Sequence, residues 1–383
     1  MTQPAAFLAR MDPPRTPLLV VRRSALLHNL ATMQAACDAA GVRLRAHGKM
    51  HKCTALARLQ VAGGAVGLCC QTVGEAETYA AAGIADVMVT APVPPWGWAR
   101  LAAIAGARVS AVVDSAAQVA LAAGSGLVLF VDVDPGTHRA GVAPDDALAL
   151  AQVIAATDGV SFGGIQAYAG HVQHMPPAAR IAANAALATR LQALVAEFGL
   201  AGLPPPQVTG GGTGTHALDL EAGVFTEIQA GSYALMDVDY DEAGATDGDW
   251  PFRPALFLAA TVVSARHKAL VTCDAGLKAL YTDGPPPRVV AGAAAGSRWR
   301  SLGDEHGAII HPASLEALRT GSGDVIAAID ASGDWHADAP AEGALVWLQP
   351  GHVDPTIALH DALFVADEDG TLERWAIDAR RAA

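Results

Sequence analysis

From residue 42 to about residue 230 the hydrophobic positions alternate between two textures. Apolar runs of strand length are VRLRA from 42, AVGLCC from 65, ADVMVT from 85, ARVSAVVD from 107, LVLFVDVD from 127, FGGIQAY from 162, PQVTG from 206 and FTEIQA from 225. Between them lie Ala-rich segments with apolar residues at helical spacing, among them TVGEAETYAAAG, PDDALALAQVIAAT and the long run from Pro177 to Phe198. An amphipathic stretch with Ser24 as its N-cap precedes the first strand, and the seventh helix, HALDLEAGV, is short. Eight β/α units in roughly 200 residues predict a closed (β/α)8 barrel over 24–237. A doubly wound open sheet is the alternative, but no GxGxxG follows the first strand to favour it.

Past Asp237 the pattern changes to short β-type runs joined by Gly-, Asp- and Pro-rich connections, such as ALFLAATVVSA, ALVTCDAG, ALVWLQP and ALFVADEDG. These predict a second, mostly β domain over 238–383, joined by residues 1–23 through the run TPLLVV at 16–21. AGAAAGS at 291–297 reads as a loop.

Composition narrows the class. The chain has 383 residues, 52% hydrophobic and 16% charged, which describes a globular protein with a substantial core. A net charge of −13 argues against nucleic acid as a partner. Five cysteines, odd in number and without a CxxC pair, point to a reducing cytoplasm rather than a disulfide framework. Pro4, Pro13, Pro14 and Pro17 interrupt the first thirty residues, and later apolar runs break before bilayer length, so neither a signal peptide nor a membrane span is expected.

The loops after barrel strands are where such folds carry chemistry, and the polar residues gather there. The first strand leads into RAHGKMHK at 45–52, five basic side chains in eight residues of an acidic protein, with Lys49 in a strand-to-helix loop. The second strand ends at Gln71, the fifth leads to Arg139, and the sixth ends at Tyr168 with His171 and His174 beyond. After the seventh, Gly210, Gly211, Gly212, Thr213 and Gly214 can turn consecutive N–H groups to an anion. That run reads as a phosphate cup or as a flexible turn, and its position, shared with Gly231, Ser232 and Tyr233 after the eighth strand, favours the cup. A phosphate at this end, a lysine and a tyrosine together suggest pyridoxal 5'-phosphate held by Lys49.

The motifs RAHGKMHK, GLCCQTVGEAE, GIQAY, VTGGGTG, EIQAGSYALMD, DAGLKA, DEHG and GHVDPT, in this order, resemble the family of D-threonine aldolase, D-3-hydroxyaspartate aldolase and D-serine dehydratase. These are fold-type III pyridoxal phosphate enzymes related to alanine racemase, and the likeness spans about residues 16–377. The resemblance implies a homodimer acting on a small D-3-hydroxy amino acid, and a divalent metal supplied by the β domain. It places the cofactor-bearing lysine at Lys49, a contact to the cofactor ring at Arg139 in THRAGV, and Tyr168 facing ring or substrate. The basic cluster would then favour a neutral Lys49 amine, with His47, His51 and Lys52 as positioning or packing groups. Ala46 departs from the proline usual in the family, and His171 from a small residue.

GHVDPT sets His352 and Asp354 two residues apart, where an extended strand or turn aims both the same way. With the resemblance they are read as metal ligands, Mn2+ first, with Zn2+, Co2+ or Mg2+ as alternatives. The implied reaction is a retro-aldol cleavage to glycine and an aldehyde, with His174 as the base, directly or through a bound water. A dehydratase on the same scaffold is the nearest rival. The family's dehydratases tend to carry HxC where this chain has His352 and Asp354, a harder donor pair. A non-catalytic pyridoxal phosphate carrier and a cofactor-free metal hydrolase are further alternatives.

Overall fold

A computed structural model describes residues 4–13, 15–332 and 338–380. Pro14, and the residues of the expected β domain at 1–3, 333–337 and 381–383, lie outside the described residues. The chain forms two compact units, one over 29–233 and 243–251 with the stretch from 378, the other over the residues up to 28, 234–242 and 252–377.

The strand β1 (Leu18–Arg22) belongs to the second of these. The first is a closed barrel of eight parallel strands: β2 (Arg43–His47), β3 (Gly67–Cys70), β4 (Asp86–Val89), β5 (Arg108–Val113), β6 (Val128–Asp132), β7 (Ser161–Ala167), β8 (Val208–Gly210) and β9 (Glu227–Ile228). Each falls, to within a residue, in one of the eight apolar runs. β9 is the shortest, yet it closes the ring on β2 with Arg43 opposite Glu227 and Leu44 opposite Ile228. The helices between strands start where the sequence supplies caps: Thr72 and Ser115 accept the N–H groups of Glu75 and Gln118, and Pro144 and Pro177 open two others. Ser24 differs from expectation. The helix begins one residue earlier, at Arg23, and the Ser24 hydroxyl donates to the Glu368 carboxylate instead of capping.

The barrel interior is partly apolar, with Met88, Val112 and Phe130 packed together, and partly a series of buried polar side chains. Arg45 donates to Glu227 at 2.8 Å and to Asp86 at 2.7 Å; Thr209 donates to Glu227, and Gln229 to Thr209 at 2.9 Å and Gln166 at 3.1 Å. Gln166 in turn donates to Asp132 at 3.0 Å. Each of these side chains has a partner in the series, although the Oε2 of Glu227 is buried with no hydrogen-bond partner among the described residues. A bulge in β7 sets the phase of this series. Gly164 has φ +131°, and a Cβ there would lie 1.9 Å from the carbonyl of Gln207.

The other unit is a nine-stranded mixed sheet in which β1 lies between β10 (Leu256–Ser264) and β16 (Ala362–Ala366), so that TPLLVV enters the sheet. The remaining strands are β11 (Leu270–Cys273), β12 (Arg288–Ala291), β13 (Arg298–Ser301), β14 (Gly307–Ile310), β15 (Leu345–Gln349) and β17 (Leu372–Ala376). β12, β13, β14 and β17 were not among the expected runs. Three of them carry charged residues, as in β13, where Trp299 is buried between exposed Arg298 and Arg300. Residues 292–297 form a loop.

Candidate active site

Lys49 sits in a single 3-10 turn, Gly48–Met50, at the end of β2. The turn is held from two sides. The Lys49 N–H donates to His47 Nδ1 at 3.4 Å, and the Tyr79 hydroxyl donates to the Gly48 carbonyl at 2.8 Å. A Cβ on residue 48 would meet the Tyr79 ring and hydroxyl at 2.7 Å, so only glycine fits. Beyond the turn, Lys52 adopts φ +49° and pairs with Glu75, whose other oxygen accepts the Gln71 N–H at 2.8 Å. The ends of β2 and β3 are thereby tied together.

The basic cluster is not a patch of positive charge. Burial, aided by the nearby Lys49, His51 and Lys52, pushes the His47 imidazole well below its usual range. Burial likewise takes His51 down to about 4, with its ring donating to Gln60. Arg45 is compensated by Glu227 and Asp86, and Lys52 by Glu75. The field expected to surround Lys49 is therefore largely cancelled, and His47 and His51 act as neutral hydrogen-bonding groups.

Beside this turn a cavity of about 270 Å³ opens, lined by Gln71, Thr90, Asp132, Thr137, Arg139, Gln166 and Tyr168. Gln71 reaches Thr90 at 3.0 Å and His47 at 3.1 Å. The loop that carries Arg139 is organised by Asp134, whose carboxylate accepts the N–H groups of Gly136, Thr137 and His138. Burial alone would raise Asp134, but these donors and the His138 ring hold it below the ordinary range. Asp132 behaves oppositely: burial pushes it to about 6 despite its bond from Gln166, with Asp114 and Asp134 adding to the rise and Arg139 opposing it.

Residues 210–214 follow β8. Two of the expected anion donors are already engaged: Gly214 N–H donates to Gln173 Oε1 at 2.8 Å, and Gly212 N–H bonds to the buried Asp219 carboxylate. The N–H groups of Gly211, Thr213, Gly231 and Ser232, and the Ser232 hydroxyl, have no partner among the described residues. Gly231 approaches His47 so closely that a Cβ would lie 3.2 Å from that of His47. Tyr233 is buried, its N–H on Thr213 Oγ1 at 2.9 Å and its hydroxyl accepting from Gln60, so its side chain is committed to the core. Lys49, Gln71, Arg139, Tyr168, the Gly-rich loop and Ser232 all follow barrel strands and stand at the same end of the ring, because the strands are parallel. The unpartnered donors and the glycine approach fit a phosphate-bearing cofactor.

Tyr168 directly follows β7. His171, exposed, hydrogen-bonds Thr137 at 3.1 Å, and His174 is exposed four residues after the turn Gly170–Val172 begins. In the β-sheet unit, His352 is extended (φ −134°, ψ 121°) and precedes a short helix, Val353–Ile357, in which Asp354 is the second residue. Both oxygens of Asp283 lie 3.1 Å from His352 Nδ1, and Asp237 accepts the Val353 N–H at 2.9 Å. One imidazole and one carboxylate suit a divalent cation, with Asp283 fixing the ring as an outer carboxylate does. No group of three or more such side chains gathers as a metal site among the described residues.

Sequence reading missed Thr90, Asp132, Gln166 and Gln173. Asp132 carried a signal as an acid closing an apolar strand at the active end of the barrel, and Gln166 stands in the motif GIQAY.

Two family models cover the chain: alanine racemase, N-terminal domain, over 21–238, and putative serine dehydratase domain over 255–366. A D-threonine aldolase from Arthrobacter sp is 40% identical, with 99% of this chain and 95% of the relative covered. A 3-hydroxy-D-aspartate aldolase from Paracoccus denitrificans (strain Pd 1222) is 36% identical over 96% of this chain and 92% of its own. The crystal structure of D-threonine aldolase from Filomicrobium marinum superposes with a TM-score of 0.85 at 33% identity, covering 96% of both chains. The barrel with its lysine turn, the β sheet that follows and these full-length likenesses agree: the chain belongs to the D-threonine aldolase and D-3-hydroxyaspartate aldolase family of alanine racemase-like proteins, a family that implies pyridoxal phosphate.

Proposed function

We propose that this protein is a lyase that cleaves D-3-hydroxy amino acids, D-threonine or close relatives, to glycine and an aldehyde, using pyridoxal 5'-phosphate and a divalent metal. The observation that carries the reading is the pairing, at one end of a closed barrel, of the Lys49 turn with a loop of unpartnered N–H donors. Lys49 would hold the cofactor covalently through Nζ, and Gly211, Thr213, Gly231 and Ser232 would donate to its phosphate. Arg139, Gln71 and Tyr168 would bound the space for its ring and for the substrate. When bound, the cofactor supplies an electron sink for the pair released at the substrate Cα.

His174 takes the proton from the substrate's 3-hydroxyl, the C–O bond becomes a carbonyl, and the Cα–Cβ bond breaks; a proton returned to Cα completes glycine. His352 and Asp354 would hold the cation, Mn2+ in the first instance, whose chemistry there would be to polarise a substrate oxygen. We place the enzyme in the cytoplasm, consistent with five cysteines that are all free and buried, and read it as a homodimer on the family resemblance.

Incubation with Mn2+ and D-threonine tests the reading by its products. Equal amounts of glycine and acetaldehyde are expected. Ammonia with a 2-oxo acid would mean that the hydroxyl departs rather than the carbon chain, and would replace the aldolase with a dehydratase.

A further inference from the structure

Gln173 precedes His174 in the chain, yet its side chain belongs to the Gly-rich loop. It is 1% exposed. Its Oε1 accepts the Gly214 N–H at 2.8 Å and its Nε2 donates to Thr215 Oγ1 at 2.9 Å. The two backbones are in direct contact: a Cβ on Gly214 would lie 2.1 Å from the Gln173 carbonyl oxygen, and one on Gly212 would lie 2.5 Å from Gln173 Oε1. Arg180, wholly buried, spans the same seam, donating to the carbonyls of Gln173 at 3.4 Å and Gly214 at 3.0 Å. Parting the two loops would strand several buried polar groups at once, so they are held as one body.

We propose that Gln173 is a positioning residue through which an anion on the Gly-rich loop sets the place of His174. The proposal rests on the reading of that loop as a phosphate site and of His174 as the base. An anion that orders the Gly211 and Thr213 N–H groups fixes the peptide bearing the Gly214 N–H. The amide of Gln173 passes this constraint to its own backbone, and His174 is one peptide bond, about 3.8 Å between Cα atoms, further on. Coupling of this kind is reciprocal: whatever loosens the His174 loop weakens the phosphate contact by the same factor.

Hydrogen exchange on the full chain, freed of cofactor, with and without inorganic phosphate, tests this. Phosphate has no ring to touch the His174 loop, so protection there must travel through protein. In the unaltered protein, phosphate is expected to slow exchange in peptides covering 209–216 and 169–175 together. In Gln173→Met, which keeps the volume of the side chain, protection should persist at 209–216 and fall at 169–175, the backbone contact and the Arg180 bridge carrying only a remainder. Affinity for pyridoxal phosphate should fall roughly tenfold, as loss of a buried hydrogen bond predicts, while affinity for pyridoxal, which lacks the phosphate, stays unchanged. Gln173→Glu, which keeps the acceptor for Gly214, should retain protection at 169–175 and serves if the methionine variant does not fold. Protection at 169–175 in Gln173→Met equal to that of the unaltered chain would overturn the proposal. So would protection confined to 209–216 in the unaltered chain, a result that leaves the phosphate site standing. Protection of neither segment would remove the phosphate site and this coupling with it.

Discussion

Asp132 shows how one side chain couples the cavity to stability. Its folded-state value of about 6 lies above the ordinary 3.8, so the native protein keeps this proton when the unfolded chain has lost it. Its favourable contribution is complete below the unfolded value and is lost as pH rises through about 4 to 6. Asp132→Asn still accepts from Gln166 and removes the titration. The variant should lose ~2–3 kcal/mol less than the parent between pH 4 and pH 7, read from urea unfolding at the two values. Equal losses in both proteins would show that folding does not raise Asp132. Single residues of this kind are the least legible in sequence. Lys49 and the Gly-rich run stand in recognisable strings, whereas the raised state of Asp132 and the neutral state of His47 follow first from burial, which only the closed barrel creates.

The elements were more legible because each barrel strand is a run of apolar residues between helical segments. What the runs conceal is phase. In β7 the bulge at Gly163 and Gly164 shifts pairing with β6, so that Phe130 stands opposite Gly164 and Asp132 opposite Gln166. Without it every later side chain would change face, and Gln166 would leave Asp132 and Gln229. Gly164→Ala meets both an unfavourable φ and a carbonyl at 1.9 Å, so a loss of about 2–4 kcal/mol is expected by thermal or chemical unfolding. Gly83→Ala provides the control, with φ +88° but nothing within 4 Å of the added methyl; it should cost about 1–2 kcal/mol. Similar losses in the two would remove the close approach as the cause. Of the strands missed in the second unit, β12 and β13 carry charges on an exposed side, and antiparallel strands of that kind lack the apolar run that marked the barrel.

Across the whole molecule the proposed tasks divide between two bodies. Lys49, the Gly-rich loop and Ser232 belong to the barrel, and His352, Asp283 and Asp354 to the sheet unit. Chelation should therefore stop product formation while the bound cofactor keeps its colour, and Asp354→Ala should behave alike. Bleaching on chelation would show that the metal supports the cofactor instead. The polar interior of the barrel also bears on how the substrate range can be changed. Arg45, Glu227, Thr209, Gln229, Gln166 and Asp132 are hydrogen-bonded in series, so an apolar replacement of any one leaves its neighbour without that partner. Pro135 and Thr137 stand on the cavity wall outside that series. Diversity introduced at those two positions can reshape the room for a larger or charged β-substituent and leave the floor intact, and a library for new specificity is best confined to them.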